Sequence, residues 1–192
     1  LCVAAIYADS DGIRLLAEIG ACDSKRLSDA SILKIAAKIR ASYSYTVIRL
    51  FPHKYNELYK KFKNLNRLLG WAHTAALGDM VRKTNCREAV LDQFADKHLM
   101  ESALKQKKIE ARLQQRTHGE EDLVVAAASI LARAGFLEGM ETLSQEYGMS
   151  LPKGASAQVI EAGKKLVAKF GVEVLDKVSK THFKTTAHVT IA

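Results

Sequence analysis

Apolar and polar positions along the chain change period several times, and each change marks an element. Residues 3–7 form a short apolar run. In residues 13–19, Ile13, Leu15, Ala17 and Ile19 alternate with Arg14, Leu16 and Glu18, a period of two that suits a half-buried strand. Asp11-Gly12 between the runs is a hairpin signal, so the pattern predicts an opening β-hairpin. From Ser28, which suits an N-cap, the period becomes helical, with Ile32, Ile35, Ala36 and Ile39 on one face. A third strand is predicted over 45–51, and helical stretches follow Pro52, the clearer over 65–82. Residues 88–94 read as a short buried strand, with Ala89-Val90-Leu91 continuous and Asp92-Gln93 at its end, and 109–113 as one further strand. The least ambiguous helix spans 120–147, up to Gly148. Two more follow, over 156–170 up to Gly171 and over 172–180. Strands first and helices later, with a central strand reached through a helical crossover, predict an α/β domain with a mixed sheet flanked by helices and a helical C-terminal region.

Composition narrows the class without deciding the function. With 48% hydrophobic residues and two prolines in 192, the chain is neither a disordered tail nor a collagen or low-complexity linker. Its length suits a single domain over 1–192. Cys2, Cys22 and Cys86 are odd in number and contain no C-x-x-C, which indicates neither a disulfide framework nor a cysteine zinc site and suits a reducing, cytoplasmic compartment. The longest apolar stretches, such as 123–132, are about half of the ~20 residues that a membrane span needs, and no basic segment precedes the apolar start, so neither membrane insertion nor export is expected. The chain opens inside an apolar run without Met and is read as a fragment with residues missing upstream. No heptad run suggests a coiled coil, and a monomer is expected.

Charge adds a candidate partner. The 29 Lys and Arg against 21 Asp and Glu give a net charge of +8. From Pro52 to Arg87 there are eight basic residues against two acids, and from Ser150 to the end seven lysines against three acids. Such stretches attract a polyanion, because phosphate neutralisation releases counterions; the same charges also suit an ordinary solvated helix surface.

Three segments carry candidate chemistry. Asp92 follows buried strand residues, so its carboxylate is desolvated on one side and open on the other, where a hard divalent cation would take its oxygens; equally, it could cap the following loop. Thr117-His-Gly-Glu-Glu-Asp122 precedes the small-residue helix of Ala126, Ala127, Ala128, Ser129 and Ala132. Thr117 and Glu120 have capping-box spacing, and close packing of that helix on the sheet would bring the acidic turn to the end of the Asp92 strand. Gly20-Ala-Cys-Asp-Ser24-Lys25-Arg-Leu-Ser28 is a donor-rich connection whose Ser24 hydroxyl, Lys25 ammonium and backbone amides suit phosphate. The six histidines show no H-x-x-x-H spacing, and His73 on an apolar helix reads as a core residue. There is no G-x-S-x-G, G-x-G-x-x-G or P-loop, which disfavours a hydrolase elbow, a dinucleotide fold and a Walker site.

In this order, Asp23-Ser-Lys-Arg-Leu-Ser28, Lys54-Tyr-Asn56, Asn66-Arg-Leu-Leu-Gly-Trp-Ala-His73, Leu91-Asp-Gln-Phe94, Val125-Ala-Ala-Ala-Ser-Ile-Leu-Ala-Arg133, Leu151-Pro-Lys-Gly-Ala-Ser156 and Thr181-His-Phe183 resemble the prokaryotic type 2 ribonuclease H family over nearly the whole chain. The Asp-Gln-Phe, Tyr-Asn and Leu-Pro-Lys-Gly-Ala-Ser versions favour its HIII branch over HII. The resemblance implies an RNase H-like fold and endonucleolytic cleavage of the RNA strand of RNA/DNA hybrids, leaving 5′-phosphate and 3′-hydroxyl ends. It also implies two cations, Mg²⁺ or Mn²⁺, held by four acids. Asp92 matches the acid of the central strand, Glu120 is the choice for the acid before the long helix with Glu121 as the alternative, and Ser24-Lys25 matches a segment near substrate phosphate. The family's first motif, an Asp-Glu pair, should lie just before Leu1, and neither it nor the separate N-terminal substrate-binding domain of HIII is in this sequence. A non-catalytic nucleic-acid-binding module is the competing expectation.

Overall fold

A computed structural model describes residues 1–94, 97–117 and 119–190, and the side chains of Lys97 and Glu120 lie outside what it describes. Along the chain run β1 (Cys2–Ile6), α1 (Ser10–Ile19), α2 (Asp29–Ser42), β2 (Tyr45–Arg49), α3 (Pro52–Phe62), α4 (Leu65–Thr84), β3 (Glu88–Asp92), α5 (Lys97–Gln106), β4 (Arg112–Arg116), α6 (Leu123–Tyr147), α7 (Ala157–Phe170), α8 (Val174–Val178) and α9 (Lys184–Thr190). Single 3₁₀ turns lie at Ser24–Arg26 and Gly119–Glu121. The expected α/β class with a helical C-terminal region is present.

The strands pair two by two: β1 with β2, and β3 with β4. Leu1 exchanges hydrogen bonds with Leu50 while the Tyr7 amide donates to the Ser44 carbonyl, so the first pair is antiparallel. The second is parallel, with Asp92 opposite Arg116, and α5 supplies the crossover that a parallel pair requires.

The opening hairpin expected over 13–19 is instead the helix α1. A window this short satisfies both periods. The termini decide between them: the Asp9 carboxylate accepts the Gly12 amide at the N-cap, and Gly20 at φ 90° closes the C-cap. Asp11-Gly12 is thus the first helical turn. The strand expected over 109–113 lies three residues further on, at β4 (Arg-Leu-Gln-Gln-Arg), where Leu113 and Gln115 are half-buried and Arg112, Gln114 and Arg116 are exposed. The expected capping box at Thr117 and Glu120 involves the Glu120 side chain, which lies outside the described residues; at the start of α6, Asp122 Oδ1 accepts the Val124 amide at 2.9 Å and the Val125 amide at 3.4 Å.

Although the sequence reads as one domain, the chain groups into two compact units, neither contiguous. One comprises 2–48 and 64–135, the other Leu1, 49–63 and 136–192. In the first, Val3 of β1 packs with Ala72 and Ala76 of α4, flanked by Ile48, Leu69 and Trp71. In the second, Leu143 and Tyr147 of α6 pack with Leu166, Val174 and Leu175. By length and composition alone α6 could cross a membrane. Its Ala126, Ala127, Ile130, Leu131 and Ala134 are buried in the fold.

Candidate active site

Asp92 is the last residue of β3, and its backbone is fixed on both sides. It pairs with Arg116 in the parallel ladder, and the next amide, Gln93 N–H, donates to the Arg116 carbonyl at 3.0 Å. The side chain is exposed, and its Oδ1 accepts the Gly119 amide at 3.1 Å. That contact requires glycine: a Cβ on Gly119 would sit 2.8 Å from the Asp92 Cα and 2.9 Å from its Cβ. The acidic turn thus abuts the end of the Asp92 strand, as the close packing of a small-residue helix implies. Glu120 is in that turn by its backbone, and its side chain is outside the described residues, as is the whole of His118.

Beside the turn, a cleft of about 430 Å³ is lined by Ile13, Arg116, Thr117, Glu121, Asp122 and Leu123. Arg116 reaches Asp122 at 3.4 Å and Gln114 at 3.2 Å. His73 of α4 stacks on Phe94 with ring centroids 4.9 Å apart. Burial pushes the imidazole down to about 4, against the opposing pull of the Asp92 carboxylate, so His73 is neutral at pH 7. A neutral ring packed on Phe94 agrees with its reading as a core residue.

A hard divalent cation suits carboxylate oxygens at a strand end. Among the described residues no three His, Cys, Asp or Glu side chains converge, and Asp92 is the strand-end carboxylate that meets the acidic turn.

The donor-rich connection behaves differently from its sequence reading. Ser24 is 6% exposed, and its hydroxyl is engaged at 2.7 Å with the Ser129 hydroxyl of α6. Lys25 and Arg26 are the exposed residues of that turn. Arg133, one turn beyond Ser129, donates Nη1 to the Ser24 carbonyl and Nη2 to the Asp29 carboxylate, the latter at 2.9 Å. Sequence reasoning missed Ser129, Arg133 and Gly119 as contributors. The i, i+4 spacing of Ser129 and Arg133 on one helix face was the available signal.

In the other unit, Asn56 is 3% exposed and ties α3 to the chain after α8. Its Nδ2 lies 2.9 Å from the Ser179 carbonyl and 3.1 Å from both the Asp176 carbonyl and its Oδ1, while its Oδ1 accepts the Thr181 amide at 3.2 Å. His182 then stacks on Tyr59 at 3.8 Å, and Lys180 Nζ lies 4.8 Å from the centre of the Tyr55 ring. Burial, with Tyr59 beside it, pushes the Tyr55 phenol up to about 12.

A profile of the ribonuclease HII family matches residues 1–186. The chain belongs to that family. Among its curated relatives, the ribonuclease HIII of Protochlamydia amoebophila is 43% identical over 185 residues, and that of Chlamydia muridarum 47% over 188, each alignment covering 96% of this chain and 62% of the relative. The HIII branch favoured from the motifs is therefore the one its relatives carry. The structure of Bst-RNase HIII in complex with Mn²⁺ superposes with a TM-score of 0.91 at 31% identity, covering 98% of this chain and 63% of that one. Ribonuclease H2 from Pyrococcus horikoshii, at 20% identity and a TM-score of 0.77, shares the fold. The chain thus spans about three fifths of the length of the ribonuclease HIII proteins it matches.

Proposed function

We propose that this chain carries the ribonuclease H chemistry of its family: metal-dependent endonucleolytic hydrolysis of the RNA strand of RNA/DNA hybrids, leaving 5′-phosphate and 3′-hydroxyl ends. The observation that carries this reading is the Gly119 amide on the Asp92 carboxylate, which joins the acidic turn to the strand-end acid in a chain whose family match runs through both. Asp92 and Glu120 would hold the cations, Mg²⁺ or Mn²⁺. When bound, two such ions supply an activated water and stabilise the leaving 3′ oxygen. Asp92 is held for this by the β3–β4 ladder and by Gly119, which orients one carboxylate oxygen and leaves the second to a ligand. Lys25 would hold a backbone phosphate, with Ser24 fixing the turn beneath it. Recognition through phosphates and 2′-hydroxyls predicts little sequence preference. We place this activity in the cytoplasm, in a monomer.

The test is cleavage of a 5′-labelled RNA/DNA hybrid, with Mg²⁺, with Mn²⁺ and with chelator, by a protein in which the Asp-Glu motif that the resemblance implies precedes this chain. Metal-dependent cutting of the RNA strand is expected, and Asp92→Asn should abolish it while hybrid binding and the melting temperature persist. Near-normal turnover by that variant would remove Asp92 from the site. Glu120→Gln should lose activity to a similar degree, with Glu121→Gln as the comparison that decides between the two acids of the turn. The second reading, a binding module without catalysis, draws on the net charge of +8. Hybrid binding without product under every metal condition would favour it.

A further inference from the structure

Resting on the ribonuclease reading, we infer that Ser129 and Arg133 of α6 are positioning residues that hold the Ser24–Arg26 turn so that Lys25 is presented to a substrate phosphate. The bonds inside the turn are local. The Lys25 amide donates to Asp23 Oδ1 at 3.0 Å, the Arg26 amide to the Asp23 carbonyl at 3.0 Å and the Leu27 amide to the Ser24 carbonyl at 3.3 Å. A single short turn of this kind does not hold itself in place, because fixing its dihedrals returns few hydrogen bonds. What fixes it are two contacts from more than 100 residues away: the Ser24–Ser129 hydroxyl pair and the Arg133 guanidinium on the Ser24 carbonyl.

The choice of arginine follows from the geometry. One planar fork reaches a carbonyl and a carboxylate together, which a lysine ammonium on a flexible stem does not reproduce. Asp29 also balances the charge of Arg133, whose side chain is only 31% exposed. Arg133 therefore contributes to phosphate binding through the turn it holds, whereas Lys25 beside it is exposed.

A double-mutant cycle tests this in the full chain: Lys25→Ala, Arg133→Met and the pair, with affinity for a fluorescent RNA/DNA hybrid read by anisotropy in chelator, and kcat and KM read with metal. Each single change should weaken binding roughly tenfold and raise KM, leaving kcat at saturating hybrid close to that of the parent. The pair should weaken binding no more than the stronger single change, and the log–log salt slope should fall by about one in all three. Ser129→Ala should reproduce the Arg133→Met effect in milder form and Ser129→Thr, which keeps the hydroxyl, should restore it, so the test stands even if Arg133→Met fails to fold. Additive losses, or a lower melting temperature with affinity intact, would overturn the inference alone. Failure of the parent protein to bind hybrid would overturn the ribonuclease reading and the inference with it.

Discussion

At Gly119 the absence of a side chain is what lets a turn touch a carboxylate. Any Cβ there meets the Asp92 Cα and Cβ below 3.0 Å, and both belong to a strand locked in its ladder, so the turn has to move. Gly119→Ala should lower kcat on an RNA/DNA hybrid roughly a hundredfold, as expected for about 1 Å of displacement at a reacting centre, with little change in hybrid affinity. An unchanged kcat would show that the approach is dispensable. Asp176 makes a prediction of a different kind. Its hydrogen bond from His53, against the cost of burial and with a further bond from Asn56, holds the carboxyl below its ordinary value of 3.8. A carboxylate with a depressed folded value stabilises the fold above the unfolded value and loses that contribution as pH falls through the folded one. Urea titrations should therefore show stability declining as pH drops below about 4, and Asp176→Ala should flatten that decline.

Elements were legible where one period had room to repeat. Helices α2, α4 and α7 lie within a few residues of where the pattern puts them, because each runs 14 residues or more. In α1 the ten residues satisfy both a strand and a helix period, and the caps at Asp9 and Gly20 settle the matter. In α5 the pattern is only Met100 and Leu104, both buried one turn apart, too little to stand out in the sequence. In β4 the inward positions are Leu113 and Gln115, so no apolar alternation marked it. Asp92 was legible because an acid directly after a buried run is unusual. The Ser24–Ser129 pair was not legible, because a hydroxyl looks the same in sequence whether it faces solvent or a second serine. Helix α6 begins three residues later than its pattern implies because Asp122 is its cap. Asp122→Ala should cost about 1 kcal/mol in urea unfolding and Asp122→Asn much less; equal losses would mean that the Arg116 contact matters more than the cap.

On the scale of the whole molecule, the way the chain returns on itself and its net charge each bear on something that can be measured. Within a length suited to one domain the chain groups into two compact units, returning at 49–63 and again at 136–192 to complete one of them, and residue order carries no signal of such a return. The charge of +8 leads to a measurable property. Affinity for an RNA/DNA hybrid should fall linearly in a log–log plot against salt, by an order of magnitude or more between about 50 and 200 mM, in proportion to the phosphates neutralised. A flat profile would remove phosphate contacts from the account of binding.

The long reach of Asn56 bears on how the protein is made. On the ribosome α3 emerges well before its partners, because those of Asn56 lie 120 to 125 residues further along. At roughly 5–20 residues per second, that segment waits on the order of ten seconds before Asp176 and Thr181 exist to meet it. Through that interval Asn56, buried in the finished fold, lacks the hydrogen-bond partners that satisfy its amide there. The newborn chain is then exposed to holdase chaperones and to proteolysis at α3, and a stalled or prematurely ended message that stops before residue 176 would leave this unit unbuildable however well the other one had folded.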